Sequence, residues 1–327
     1  MFRLSWLFLW SAMVFTHSGV TFAQTMPTTQ GKPVTMVVSF PPGGAPDQIA
    51  RLLGQHLQVR WKTPVLVVNR PGAAGHLGND SVARAEPDGH TLLVTPNTFT
   101  MAPHVLPAGA SKPADVLTDF TPIAQISSSS MLLVTHPSLG VKDARELALK
   151  SKTTPSLSYA TPGNGSPMHI AGELYNHVAY AQLQHVPYRG TTPAINDVLG
   201  GHVKVTFLGL PVAKPLIDAG KLVALATVDK TRSPLMPHVS TMAEQGYPGV
   251  DTDIWFGVYG PKGMPQALAD DLHTAFDAVL QNAEVMNQLK AMSQVVHQGT
   301  REAFAKKTQA DYQRYGSLIQ QFKIRAD

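Results

Sequence analysis

The stretch SFPPGGAPDQIARLLGQHL, residues 39–57, begins where a run of β-forming residues gives way to a helical pattern. The run from Val34 to Phe40 is rich in Val and predicts a buried strand. Two prolines and two glycines then interrupt it, and Asp47 opens the next helix, predicted to end at Arg60. Such a turn exposes backbone N–H groups and is a frequent anion site, although a plain capped turn fits the local residues equally well.

The same alternation of apolar runs and helix-length segments continues along the chain. The runs that predict strands are VTMVVSF, PVLVVN, TLLVT, MLLVTH, SLSYAT, QHVPY, VKVTFL and LVALATV. Because many of these runs lack polar alternation, they predict strands buried on both faces in parallel α/β sheets. Two passages, at 123–136 and 233–265, interrupt the pattern with Ser-rich or Pro/Gly-rich sequence. They predict two crossings of the chain between two lobes.

Residues 1–23 have the pattern of a cleaved signal peptide. A positive residue, Arg3, precedes an apolar segment that is too short to span a bilayer, and the small residues TFA precede Gln24. The chain contains no cysteine, so it has no site for a lipid anchor on cysteine, for thiol catalysis or for Cys-ligated zinc. The formal net charge of +4 is too diffuse for a nucleic-acid interface. We therefore expect a protein that diffuses freely in a bacterial periplasm.

A second turn, within TPGNGSPMHIAGELYNH at 161–177, repeats the chemistry of the first. Ser166 is a good helix N-cap, and the turn again offers backbone N–H groups, an amide and a hydroxyl. His169, Glu173 and His177 share one helix face, so a metal site is an alternative. The stretch lacks an HExxH motif and an evident third ligand, and a packed or solvated face is the favoured interpretation.

Motifs for covalent chemistry and cofactors are missing from the sequence. The glycines of RPGAAGHLG follow a GxxGxxG spacing instead of the dinucleotide GxGxxG, and neither a P-loop nor a GxSxG elbow is present. Ser166 and His169 are the candidates for an alternative function as an exported hydrolase, but no partner base is evident. We expect a binding protein without a cofactor or a metal.

Taken together, these stretches resemble one family, the periplasmic receptors of tripartite tricarboxylate transporters, known as Bug receptors. The resemblance extends in order from about Pro33 to the last predicted helix. It is carried by VVSFPPGGAPDQIARLL, PVLVVNRPGAAGHLGNDSVARAEPDGHTLLV, DFTPIAQI, SYATPGNGSPMHIAGELY, HVPYRGTTPAINDVLGGHVKVTF, AGKLVALATV and SPLMPHVSTMAEQGYPG followed by WFGVYGPKGMP.

The resemblance implies an α/β, two-lobed periplasmic-binding fold of type II, the Venus flytrap, in which each lobe is a sheet flanked by helices. Residues 31–125 and 251–327 would form one lobe and residues 126–250 the other. A small carboxylate would bind between the lobes without a metal or cofactor. The implied ligand-binding residues are Phe40, Pro41, Gly43, Gly44, Asp47, Asn97, Thr98, Thr161, Asn164, Gly165, Ser166, His169, Leu208 and Gly209.

The implied partners are the membrane permease subunits, which would receive the carboxylate from a monomeric receptor. A ligand-sensing subunit for a two-component system is an alternative that the sequence does not separate from transport. Two loops depart from the family pattern: Leu208-Gly209-Leu210 replaces a frequent Asp-Asn pair, and TPNTFTMAP replaces more polar residues. Both changes make the expected cleft less polar and predict a ligand with an apolar or aromatic body, as opposed to citrate.

Overall fold

The computed structural model describes residues 31–105 and 113–325. The predicted signal peptide at 1–23 lies outside the described residues. The strands are β1 (Val34–Val38), β2 (Val65–Asn69), β3 (Thr91–Pro96), β4 (Phe120–Ser129), β5 (Met131–Thr135), β6 (Ser158–Thr161), β7 (Gln184–Pro187), β8 (Val205–Gly209), β9 (Val223–Thr227), β10 (Ile254–Pro261) and β11 (Val295–Val296).

Helices follow most of these strands. They are α1 (Ala45–Trp61), α2 (His76–Ala83), α3 (Thr98–Met101), α4 (Ala144–Thr153), α5 (Pro167–Ala179), α6 (Thr191–Leu199), α7 (Leu210–Asp218), α8 (Gln266–Leu280), α9 (Ala283–Ala291) and α10 (Arg301–Gln321). Within the described residues, no helix combines the length and the apolar character needed to cross a bilayer.

The described strands form two sheets with helices on both faces. The first sheet has six strands in the order β11-β4-β10-β3-β1-β2, and the second has five in the order β7-β6-β8-β5-β9. In the first sheet β1 pairs in parallel with β2 and β3, and in the second β6 pairs in parallel with β7 and β8. The predicted α/β class with two sheets is confirmed.

The prediction that the sheets are parallel is wrong for the strands next to the crossings. β10 runs antiparallel to β3 and β4, and β5 runs antiparallel to β8 and β9. The reason is connectivity, because β4 leads directly into β5 in the other sheet and β10 returns from it, without the helical crossover that parallel neighbours need. Each sheet is therefore mixed, as large α/β sheets often are.

The central strands of both sheets are buried on both faces, which explains their unbroken apolar runs. The edge strands β2 and β7 are partly exposed, so the prediction of burial on both faces is wrong for the run PVLVVN of β2. Val34, Met36 and Val38 point to the core formed with α1 and α8, whereas Val37 points to a second core that contains Phe304 of α10. The opposite end of α10 packs in a core of the second sheet. The last helix therefore contacts both sheets. The lobe boundaries at 125/126 and 250/251 remain a prediction.

Candidate ligand-binding site

A cavity of about 600 Å³ lies between the two sheets. Among the described elements, six turns that lead from a strand into a helix contribute to its wall: β1 to α1, β2 to α2, β3 to α3, β6 to α5, β7 to α6 and β8 to α7. The carboxyl ends of the parallel strands therefore face each other across the cavity, which is where open α/β sheets bind ligands. The N–H groups in the first turn of a helix have no backbone partner within the helix, so those that no cap or neighbouring carbonyl satisfies are available as donors.

The turn before α1 is held by the side chain of Asp47, which lies inside the turn. Its Oδ2 accepts from the Gly43 N–H at 2.9 Å, and its Oδ1 accepts from Asn69 Nδ2 at 3.0 Å. Arg51, one helical turn later, donates to the same carboxylate through Nε at 3.1 Å. Burial raises the pKa of Asp47, but the hydrogen bonds outweigh that effect and hold the pKa below its ordinary value. Asp47 is thus ionised and positions the glycines.

The turn before α5 is also held from behind, by two histidines. Ser166 caps the helix because its Oγ accepts from the His169 N–H at 3.2 Å, and the Gly165 N–H donates to His169 Nδ1 at 3.2 Å. The His169 ring stacks on His185, with 3.7 Å between ring centroids, and His185 Nε2 lies 2.6 Å from Thr161 Oγ1. Thr161 and His169 are therefore buried behind the turn, and Ser166 is left at its front.

The environment of His169 keeps its imidazole neutral. Burial, and then the neighbouring His185, lower the pKa of His169 to about 3. Glu173 approaches His169 Nε2 only to 3.9 Å, and its Oε1 accepts from the Tyr159 hydroxyl at 2.6 Å. His177, the third residue of the possible metal face, lies against the Phe322 ring. No metal-binding group of three such side chains occurs among the described residues.

The turn after β3 is anchored to the strand that returns from the second sheet. Asn97 is fully buried, its N–H donates to the Trp255 carbonyl at 2.9 Å, and its Nδ2 donates to the Asp253 carbonyl at 2.7 Å. These bonds fix the next residue, Thr98, at the cavity wall. At the loop after β8 the two predicted residues likewise have different surroundings: Leu208 is buried in a core, and Gly209 borders the cavity.

The structure brings many of the predicted site residues together at the cavity wall. Those that line it are Phe40, Pro41, Asn97, Thr98, Asn164, Gly165, Ser166 and Gly209. Those that do not are Gly43, Gly44, Asp47, Thr161, His169 and Leu208. Gly43 and Gly44 border a neighbouring cavity, and the other four support the turns from behind.

Sequence reasoning missed two turns and the floor of the cavity. One is the turn after β2, which places Ala74 at the wall. Gly190 and Thr191 open α6 after β7 and line the wall, and this strand–glycine–helix pattern carries the same signal as the other turns. The floor includes Ile254 and Phe256 of β10. Their position depends on the pairing of β10 between β3 and β4, which no local pattern indicates.

The wall of this cavity is neutral. Among the described residues that line it, none is Asp, Glu, Lys, Arg or His. Its polar groups are amides, hydroxyls and backbone N–H groups, and much of the remaining surface comes from Phe, Ile, Val, Met and Pro side chains. Such a wall can hold an anion through helix N-termini while an apolar body packs against the floor.

The two sheets, their double crossing and the cavity between them define the class of two-lobed periplasmic binding proteins. Two solved structures of R. palustris proteins share the fold. Rpa4515 with adipate superposes with a TM-score of 0.79 at 28% identity, covering 90% of this chain and 98% of that one. MatC with bound malate gives 0.75 at 29% identity, covering 88% and 98%.

The family follows from the sequence comparisons. The sequence model of the tripartite tricarboxylate transporter family receptor matches residues 49–324. Protein BugT of Bordetella pertussis is 34% identical over 275 residues, which is 84% of either chain. This chain belongs to the tripartite tricarboxylate transporter receptor family, and the resemblance noted from its motifs is confirmed.

Proposed function

We propose that this chain is a periplasmic receptor that captures a small carboxylate in the cavity between its sheets and delivers it to a membrane permease. The observation that carries this proposal is the neutral cavity wall with helix N-termini on both sides. The malate- and adipate-bound relatives support the ligand class. The permease partner, the monomeric state and export through the N-terminal leader belong to the same proposal.

A carboxylate is suited to this wall because neutral donors can satisfy its oxygens without an opposing charge. Ser166 is free to donate its hydroxyl hydrogen into the cavity, since its Oγ only accepts at the cap. The N-termini of α1 and α5 add backbone donors whose dipoles favour negative charge. An anion enclosed there keeps its hydrogen bonds and avoids the cost of burying an unpaired charge.

The floor supports a ligand with an apolar body. Phe40, Val105, Met168, Ile254 and Phe256 all border the cavity, and none of them offers a side-chain hydrogen-bond donor. A compact tricarboxylate would place charge against these side chains, whereas an aliphatic or aromatic acid would bury carbon there. We therefore propose a mono- or dicarboxylate with an extended apolar segment.

The surroundings of Ser166 support binding over catalysis. A serine nucleophile needs a base within hydrogen-bond reach of its Oγ. The group at that position is the backbone N–H of His169, and the His169 ring nitrogen Nδ1 is already occupied by the Gly165 N–H. The proposal is accordingly a receptor without enzymatic activity.

A thermal-shift screen against mono-, di- and tricarboxylates tests this function. A ligand that binds only the folded state raises the free energy of unfolding by mass action, by about 2.7 kcal/mol when its free concentration is a hundred times Kd. The unfolding temperature rises as a result. We expect aliphatic or aromatic acids to raise the unfolding temperature and the matching primary amides to leave it unchanged. A flat result across all the carboxylates would contradict the proposed function.

A further inference from the structure

A second, outer cavity of about 990 Å³ adjoins the candidate site. The two cavities share the lining residues Ala45, Pro211, Val212 and Gln294. The outer cavity is bounded by the start of α1, by α7 and by the end of α9. A ligand anchored in the inner cavity can therefore extend past this shared rim without leaving the cleft.

The outer cavity differs from the inner one in charge. Its described lining includes Lys214, Asp218 and Lys290, whereas the inner lining has no charged side chain. Lys214 Nζ is paired with Asp218 at 2.7 Å. Lys290, in the last turn of α9, forms no ion pair with any described residue. One uncompensated ammonium group therefore faces the outer part of the cleft.

We propose that the outer cavity is a second anion subsite, in which Lys290 binds a distal anionic group of the ligand. The inference rests on the proposed function, because the inner cavity would hold the first carboxylate. The apolar segment of the ligand would pass the shared rim at Ala45 and Val212. This assigns Lys290 a role in selecting ligands with two separated anionic groups over monocarboxylates of the same length.

Two simpler roles for Lys290 make different predictions. A lysine in the last turn of a helix also interacts favourably with the helix dipole, which affects stability and not ligand choice. A lysine near a binding site can also steer anions toward it, which raises the association rate more for a dianion than for a monoanion but depends little on the length of the carbon chain. Only a subsite makes the preference for a second anionic group depend on Lys290 at some ligand lengths and not at others.

The test is calorimetric titration with matched pairs of unbranched acids, succinate to suberate against butyrate to octanoate. At one or more lengths the dicarboxylate should bind about two- to fivefold tighter than the monocarboxylate, the size of one charge pair at an exposed lysine. The Lys290→Gln variant should lose that ratio while its affinity for the monocarboxylate stays within about twofold. Lys290→Arg should retain the ratio.

The matched control is Lys152→Gln, which makes the same charge change on exposed α4, away from both cavities. It should leave the ratio unchanged. If monocarboxylates bind and dicarboxylates bind no better, or if Lys290→Gln keeps the ratio, the subsite is contradicted and the receptor function stands. If no acid of either series binds, the proposed function fails together with the subsite.

Discussion

Asp47 carries a negative charge in the turn at the start of α1, but both of its carboxylate oxygens already accept hydrogen bonds from neighbouring protein groups. Its two carboxylate oxygens hold Gly43, Asn69 and Arg51. A helix-capping acid at this position can be predicted from sequence, because the first turn of a helix favours one. The orientation of the carboxylate could not be predicted in the same way. Asn69 of β2, which is distant in sequence, donates to one of its oxygens while Gly43 donates to the other.

Ser166 has two roles that substitutions can separate. Ser166→Gly keeps most of the N-cap contribution, whereas Ser166→Ala removes it at a cost of about 1 kcal/mol of folding stability. We expect both variants to weaken carboxylate binding by about tenfold, because each loses one hydrogen bond to a charged group. Calorimetry and urea denaturation measure the two effects. Unchanged affinity in Ser166→Gly would remove this hydroxyl from the ligand contacts.

His169 makes folding stability dependent on pH. Its pKa in the folded state is about 3, against an ordinary value of 6.5, so only the unfolded state takes up a proton as the pH falls through 6.5. The stabilisation is complete above that pH and is lost progressively toward about pH 3. His169→Gln retains an acceptor for the Gly165 N–H but does not titrate.

The wild-type chain should therefore lose about 2 kcal/mol more than His169→Gln between about pH 7 and pH 5. Denaturant titrations at both pH values give this difference directly, because the two chains differ at this residue alone. Equal losses in the two chains would mean that His169 is protonated in the folded state.

The crossing segments are where elements of the two sheets meet. Asp229 follows β9 at the start of the second crossing, and its Oδ2 accepts from Thr227 Oγ1 at 3.0 Å. Its Oδ1 is buried without a hydrogen bond of good geometry among the described residues, and the nearby Ser130 and Met131 donors offset the burial of the carboxylate only in part. Burial raises the pKa of Asp229 to about 6, so the ionised carboxylate opposes folding once the pH exceeds its unfolded value of 3.8.

Asp229→Asn should therefore stabilise the protein, by about 1–3 kcal/mol near pH 8 and by much less near pH 4. The neutral amide keeps the size of the side chain and removes the cost of the buried charge. Chemical denaturation across this pH range measures the gain. A stability that falls on substitution, or a gain independent of pH, would contradict the burial of a charged Asp229.

Most strands and the longer helices could be predicted from local patterns, because each carries a complete apolar face. The helix predicted from Asp47 to Arg60 extends from Ala45 to Trp61 in the structure. Helix α9 was not predicted, since it is short and only Val285 and Leu289 of its residues are buried. The direction of β5 and β10 could not be predicted either, because it is set by the crossings and not by the residues of those strands.

For the molecule as a whole, the sequence motifs indicated the family and, through it, four of the six turns that face the cavity. They did not indicate the cavity's floor or the outer cavity with Lys290, which depend on how β10 and α9 are placed by distant parts of the chain. The glycines at 43 and 44 show the same limit, because their turn was predicted correctly and yet they border the outer cavity.

The central claim is that a neutral cleft with an apolar floor binds a carboxylate that has an extended carbon body. Isothermal titration calorimetry with citrate, adipate, octanoate and benzoate tests it most directly. At least one of the last three should bind with one-to-one stoichiometry and about tenfold or more tighter than citrate, a difference of about 1.4 kcal/mol. Tight binding of citrate without affinity for the longer or aromatic acids, or no binding of any acid, would contradict the account.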